Sequence, residues 1–348
     1  MIWAYSVTFF VPLLVALVLT PAVARLASRL QVVDLPGGRR RHHGVVPRMG
    51  GLAPVIGFLV AVALPVAWPQ HFPPIADPNQ PIWFRGLVLG TLVAALGGLW
   101  DDVRDLAPRY QLSVQFLCAV IAIWATLFIE RVNNPFTNEQ IVFPRPLVWA
   151  FTIFWVMGMM NTVNWLDGVD GLASSVAGVF AVVLIVHLTQ RELYSVALWP
   201  VALLGAVLGF LPYNWPPARV FLGSVGTYGV GYIMAVLGIA AGAKVATVLL
   251  VLGLPIADVA WQIVRRWRSG HSLFVGDRGH LHHRLYDRGW SPKRIVLLYV
   301  GWGIVMGTLA LVVSSRVLKL GLLVTVGILS IVMFLWATRH PPHHSADG

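Results

Sequence analysis

Hydrophobic residues in this chain come in long runs, and polar residues are confined to short breaks between them. Runs near the ~20 residues that cross a bilayer as a helix fall at 3–28, 50–68, 83–100, 112–129, 147–162, 172–189, 195–212, 228–242, 245–264, 294–314 and 319–338. The ten-residue alternating strands that a transmembrane barrel requires are absent. The pattern predicts an all-α integral membrane protein, a polytopic bundle of about 11 transmembrane helices. No linker or low-complexity segment divides the chain. Residues 1–338 therefore read as a single domain, and the polar tail 339–348 as a short disordered extension. The breaks differ from one another in sequence, unlike the internal repeats of many transporters.

Charge orients the bundle. No basic segment precedes the first run, so no cleavable leader is expected, and the first cations, Arg25 and Arg29, come near its end. Positive-inside logic then puts the N-terminus outside and the breaks 29–49, 101–111, 163–171, 213–227 and 265–293 in the cytoplasm, with the C-terminus. Those breaks hold most of the 25 Lys and Arg, whereas the glutamates Glu130, Glu139 and Glu192 fall on the other side. The net charge of +11 follows partly from this asymmetry, and it suits anionic lipid and phosphate. It does not argue for nucleic acid, because no basic segment stands apart as a soluble domain. Cys118, the single cysteine, lies inside a run and leaves no room for an internal disulfide or thiolate chemistry.

Chemistry concentrates in the cytoplasmic breaks. With 57% hydrophobic and 11% charged residues, a chain this apolar keeps carboxylates away from lipid unless they serve a purpose. Asp101, Asp102 and Asp105 follow Gly97-Gly98-Leu99-Trp100, with Asp101 and Asp105 at helical i, i+4 spacing. Three such charges repel unless a cation sits among them. Arg104 or Arg109 supplies it on one reading, a divalent metal with a phosphate substrate on the other. Asn161, Asn164 and Asp167 recur every three residues along one helix face, and Gly168 and Gly171 free the backbone to turn Asp170 inward. That set suits a base, a diphosphate or its Mg²⁺ better than a plain helix end. Asp34 opens a turn followed by Arg39, Arg40, Arg41, His42 and His43; arginine forks match phosphate oxygens, or the run simply anchors the inner face. Asp277-Arg278-Gly279-His280-Leu281-His282-His283-Arg284 lacks the spacing of a closed zinc site, which leaves cations gathered over a diphosphate or a solvated loop. Phe221-Leu222-Gly223-Ser224-Val225-Gly226-Thr227 could present N–H groups to phosphate at a helix start, or serve close helix packing.

Taken together, these residues from about Asp34 to Leu285 resemble the polyprenyl-phosphate N-acetylhexosamine-1-phosphate transferase superfamily. Its members include the initiating enzymes of teichoic acid, enterobacterial common antigen and O-antigen synthesis, with phospho-N-acetylmuramoyl-pentapeptide transferase more distant. The DRGHLHHRL run is similar to the N-acetylglucosamine-type members. The resemblance implies a bacterial cytoplasmic-membrane enzyme with its site on the cytoplasmic face. A polyprenyl phosphate, typically undecaprenyl, attacks the β-phosphorus of a UDP-N-acetylhexosamine and releases UMP, with Mg²⁺ (or Mn²⁺) as cofactor. Membrane lipid is a further partner, and a homodimer is compatible with the family. By resemblance, Asp101 and Asp102 match paired aspartates that position the lipid phosphate or metal. Asn164, Asp167 and Asp170 match the nucleotide-diphosphate motif, with Asn161 beside it, and Phe221 matches an aromatic that stacks on uracil. Arg39, Arg40 and His42 match the basic first loop, and His280, His282 and His283 the histidine loop. Metal ligation is expected from Asp101, Asp102 and Asp167.

One position departs from that pattern. Relatives usually read Gly-Asp-x-Gly-Ser where this chain has Gly223-Ser224-Val225-Gly226-Thr227, so Ser224 stands at a magnesium-ligand aspartate. A hydroxyl is a weaker hard-metal ligand than a carboxylate. Either the other carboxylates suffice, or the chain is a binding or regulatory homologue with poor turnover. A lipid or sugar transporter fits one-sided carboxylates badly.

Overall fold

A computed structural model of the protein describes residues 1–34, 44–137, 139–242, 245–270 and 279–338. Each of the eleven apolar runs is helical in it. They form α1 (Ile2–Arg29), α2 (Leu52–Ala67), α3 (Gln80–Arg104), α4 (Pro108–Trp124), α5 (Arg145–Leu166), α6 (Leu172–Thr189), α7 (Tyr194–Asn214), α8 (Gly223–Ala240), the pair α9 (Val245–Val251) and α10 (Gly253–Arg268), α12 (Pro292–Val312) and α13 (Arg316–Thr338). A short helix, α11 (Leu281–Asp287), follows the histidine run. Eight of these helices are long and apolar enough to cross a membrane, or nine with the bent pair. The protein is thus a polytopic helical membrane protein. The count falls below the expected eleven because α2 and α4 have only 16 and 17 residues.

The ninth run is not one straight helix: α9 and α10 meet at 85°. Its second half explains the break. Asp258, Gln262 and Arg266 recur at intervals of four and are buried, whereas Ile263, Val264 and Trp267 are exposed. A helix with a polar stripe turned into the protein and an apolar face turned out can lie against lipid while its polar groups stay within the bundle.

The bundle is built around α8, 94% of whose apolar window is buried. Tyr228 and Tyr232 fill its centre, and the Tyr232 hydroxyl donates to the Gly86 carbonyl of α3 at 2.8 Å. Small residues let neighbours come close. A Cβ on Gly98 of α3 would lie 2.3 Å from the Ser224 carbonyl oxygen, so α3 crosses directly over the start of α8. Around this axis α3 and α5 pack on α8, and α1, α2, α6 and α7 complete the bundle.

Two small antiparallel ribbons escaped the sequence reading. β1 (Val33–Asp34) pairs with β2 (Val46–Pro47), and β3 (Arg131–Asn133) pairs with β4 (Gln140–Val142). The first brackets the arginine run. The Pro47 carbonyl accepts the Phe221 N–H at 2.9 Å, and the Phe221 carbonyl accepts the Gly50 N–H at 3.0 Å. The ends of the first loop are thereby sewn to the entry of α8. Arg39, Arg40, Arg41, His42, His43, Asp277, Arg278 and the tail fall outside the described residues.

Candidate active site

The C-terminal ends of α3 and α5 meet the N-terminus of α8, and Asp101, Asp102 and Asp167 converge there, with Asp170 close by. A helix start leaves its first N–H groups without intrahelical partners. Here carboxylates from other helices take them. Asp167 Oδ2 accepts the Gly223 N–H at 3.2 Å, Asp102 Oδ1 the Ser224 N–H at 2.9 Å, and Asp102 Oδ2 the Val225 N–H at 3.0 Å. Anions at this position also gain from the helix dipole. The N–H groups of the glycine-rich turn are therefore engaged by protein carboxylates and are not offered to a phosphate, contrary to one reading of the sequence. Gly223 has φ +68°, and a Cβ there would sit 1.8 Å from the Arg48 carbonyl oxygen and 2.8 Å from Asp102 Oδ2. Only glycine fits this corner.

Asp101 is equally occupied. Its Oδ2 accepts the Ser224 hydroxyl at 2.5 Å and the Tyr228 hydroxyl at 3.5 Å. Its Oδ1 accepts the Leu106 N–H at 2.9 Å and the Gln111 amide at 3.0 Å. Ser224 thus fills the place of the expected aspartate by donating to a neighbouring carboxylate, which keeps one negative charge where there would be two.

The cation beside the pair is neither Arg104 nor Arg109. Neither forms an ion pair among the described residues, and Arg109 lies over the Tyr110 ring. Arg48 takes the role instead, 3.9 Å from Asp102 Oδ1 and 2.9 Å from Asp105 Oδ1. Asp105 does not share a face with Asp101, because α3 ends at Arg104 and Asp105 turns left-handed at φ 45° with an exposed side chain.

On the α5 side, Asn164 Oδ1 accepts the Thr227 hydroxyl at 2.9 Å, and Asp170 Oδ2 accepts the Ala218 N–H at 2.9 Å after the chain turns at Gly171, φ +71°. Asn161 does not join the cluster: it exchanges amide hydrogen bonds with Gln115 of α4 at 2.7 and 3.2 Å. Phe221 stands beside the cluster on the strand-like segment leading into α8. Burial pushes the Asp167 carboxyl well above the usual range, and the charges of Asp102 and Asp170 push it further, against the Gly223 N–H.

The histidine segment closes over this cluster. A Cβ on Gly168 would lie 2.9 Å from Nε2 of both His282 and His283, so the imidazoles rest on the backbone next to Asp167. The His280 ring lies 5.2 Å from Trp165. One residue that the sequence reading missed organises the segment. Asp258 of α10 accepts the Leu281 N–H at 3.0 Å, and its Oδ2 lies 3.3 Å from His280 Nδ1 and 3.6 Å from His282 Nδ1. A carboxylate facing Nδ1 leaves Nε2 turned toward Gly168. Burial lowers the pKa of His282, against the pull of Asp258.

No three of these side chains stand close enough, among the described residues, to hold a cation between them. Asp101 and Asp102 already have protein donors on both oxygens, whereas the Gly223 N–H meets only Oδ2 of Asp167. Mg²⁺ bound with a phosphate substrate commonly takes only one or two protein carboxylates. The donor set fits a cation carried in with a diphosphate and does not fit a closed protein cage.

Residues 84–242, which contain the α3, α5 and α8 parts of the cluster, match the family model described as glycosyl transferase family 4. Over 325 residues the chain is 27% identical to a Bacillus subtilis protein named a probable undecaprenyl-phosphate N-acetylglucosaminyl 1-phosphate transferase, covering 91% of this chain and 87% of that one. The chain resembles glycosyl transferase family 4 across its central region. It is also 26% identical over 310 residues to the Thermotoga maritima undecaprenyl-phosphate alpha-N-acetylglucosaminyl 1-phosphate transferase, covering 89% and 88% of the two chains. A Mycobacterium leprae decaprenyl-phosphate N-acetylglucosaminephosphotransferase is 29% identical over 356 residues, covering 91% and 87%. The likeness to these relatives spans nearly the whole chain, including the histidine segment that lies beyond the region matched by the family model.

Proposed function

We propose that the protein transfers N-acetylhexosamine-1-phosphate, with N-acetylglucosamine as the sugar, from a UDP-sugar to a polyprenyl phosphate, releasing UMP, at the cytoplasmic face of a bacterial membrane. The observation that carries this reading is the meeting of Asp101, Asp102, Asn164, Asp167, Asp170 and the histidine segment at one end of the bundle, in a chain whose relatives are named for N-acetylglucosaminyl 1-phosphate transfer to a polyprenyl phosphate. In the proposed step an oxygen of the lipid phosphate bonds to the β-phosphorus of the donor. The bond from that phosphorus to the bridging oxygen breaks, and the electron pair leaves with UMP.

A phosphate monoester with a second pKa near ~6 is mostly dianionic at neutral pH, so no strong base is needed. The task is to hold two anions together. Mg²⁺ brought in with the diphosphate would neutralise charge on it, with Asp167 among its ligands and Asp170 beside it. Asp101 and Asp102 position this arrangement by fixing the entry of α8. Asp258 holds His280 beside Trp165 and His282 over Gly168, where the imidazole can meet phosphate oxygens. Arg39, Arg40 and His42, which fall in sequence between β1 and β2, are candidate phosphate contacts, and Phe221 is the candidate platform for uracil. The exposed apolar face of α10 suits a lipid acceptor arriving from the bilayer.

The test is UMP release by purified protein given undecaprenyl phosphate, Mg²⁺ and UDP-N-acetylglucosamine. Release that requires the lipid and is lost in Asp167→Asn supports the reading. Binding of UDP-sugar without UMP release, under the same conditions, contradicts it.

A further inference from the structure

The helix that carries His282 and His283 is too short to orient itself. α11 has seven residues, and helices below ~12 residues are marginal without tertiary contacts. Its direction is therefore set by what holds its buried face and its two ends. Leu281 and Leu285 are buried in the main core. At the N-terminal end Asp258 of α10 accepts the Leu281 N–H at 3.0 Å. At the C-terminal end the hold comes from the last turn of α13. Arg288, which closes α11, donates to the Trp336 carbonyl, and its guanidinium lies 4.1 Å from the centre of the Trp336 ring.

Both contacts suit their partners. The last carbonyls of a helix lack intrahelical partners, and a cation there meets the negative end of the helix dipole. An indole face is the best aromatic partner for a guanidinium. Trp336 is 46% exposed, so burial alone does not fix its ring. The same turn of α13 is tied back to α10. Phe334, which is buried, stacks on Trp261 with ring centroids 5.3 Å apart and planes 4° from parallel. Trp261 follows Asp258 by three residues, about one helical turn. Thus α10 holds the start of the histidine helix, α13 holds its end, and Phe334 joins the two holders. His282 and His283, which rest on Gly168 beside Asp167, lie between the two anchors.

We propose that Arg288 and Trp336 are positioning residues for the histidine helix, so that the C-terminal helix acts in the reaction by fixing the far end of α11. The effect on turnover rests on the transfer reading of the site, whereas the anchor itself does not. The test compares full-length parent, Arg288→Gln, Trp336→Leu and the double variant by hydrogen–deuterium exchange and by UMP release. Amides of residues 281–290 should exchange about 5-fold faster in each variant, equivalent to ~1 kcal/mol for the lost contact, with α5 and α8 unchanged. The kcat/KM for UDP-N-acetylglucosamine should fall by a similar factor while the KM for undecaprenyl phosphate stays the same. Trp336→Phe, which keeps an aromatic face, should recover most of both. The double variant should be no worse than Arg288→Gln, because the two residues make one contact. Unchanged exchange in the variants would overturn the anchor. Faster exchange with unchanged kcat/KM, or a loss that Trp336→Phe does not recover, would make the contact structural only and overturn the positioning role. A parent that releases no UMP would overturn the transfer reading and the positioning role with it, and the exchange would still decide the anchor.

Discussion

Replacing Ser224 with aspartate tests how the carboxylate cluster is balanced. Ser224 now donates to Asp101 Oδ2 at 2.5 Å while its N–H binds Asp102. Ser224→Asp removes a hydrogen bond to a charged group, worth about 1.5–3 kcal/mol. It also sets a second carboxylate roughly 4 Å from Asp101, a repulsion of about 4 kcal/mol at an effective dielectric of ~20. Uptake of a shared proton relieves part of that repulsion. The net cost without a cation is therefore about 2–4 kcal/mol. A divalent cation reverses the sign, because two carboxylates at that separation become its ligands. Thermal unfolding of the purified variant in chelator should begin well below that of the parent protein, and added Mg²⁺ should raise it by more than it raises the parent. In the UMP-release assay the half-saturating Mg²⁺ concentration should fall. Superimposable Mg²⁺ titrations of parent and variant, in both stability and turnover, would refute the argument that position 224 faces the cation.

Other substitutions separate structure from chemistry. Asp102→Ala leaves the Ser224 and Val225 N–H groups buried without acceptors, at about 1–3 kcal/mol each, whereas Asp102→Asn keeps one acceptor; chemical denaturation should rank parent above Asn above Ala. Asp167 has a raised pKa, so the folded state holds a proton that the unfolded state releases near 3.8. Stability in chelator should therefore fall as pH rises between that value and the raised one, and Asp167→Asn should flatten the slope of thermal midpoint against pH. Asp258→Asn should lower turnover by about 10–100-fold, as loss of a residue that orients a ligand histidine does, with the thermal midpoint nearly unchanged; equal turnover would remove Asp258 from the account. Gly223→Ala should abolish both activity and the native unfolding transition, because its Cβ would collide with the Arg48 carbonyl.

The bundle was legible because lipid imposes one demand on every spanning segment, long apolar runs with their polar groups at the ends. The same demand located the site, since Asp101, Asp102, Asp167 and Asp170 could only lie at helix ends. Asp258 was hidden by the same logic, as a single acid inside an apparent lipid-facing run. Its helical register with Gln262 and Arg266 was the available signal that this face turns inward. Arg48 could not be paired with Asp102 from sequence, because their contact depends on how the β1–β2 stem folds back on α8. The ribbons have only two or three residues per strand, too few for an alternating pattern. The engagement of the α8 N–H groups by acids from α3 and α5 likewise exists only in three dimensions.

The most direct measurement of the central claim is lipid-dependent UMP release from UDP-N-acetylglucosamine by the purified full-length protein, run beside Asp167→Asn. The account predicts UMP only when undecaprenyl phosphate and Mg²⁺ are both present, and none from the variant. UMP formed without the lipid, or equally by Asp167→Asn, would contradict it.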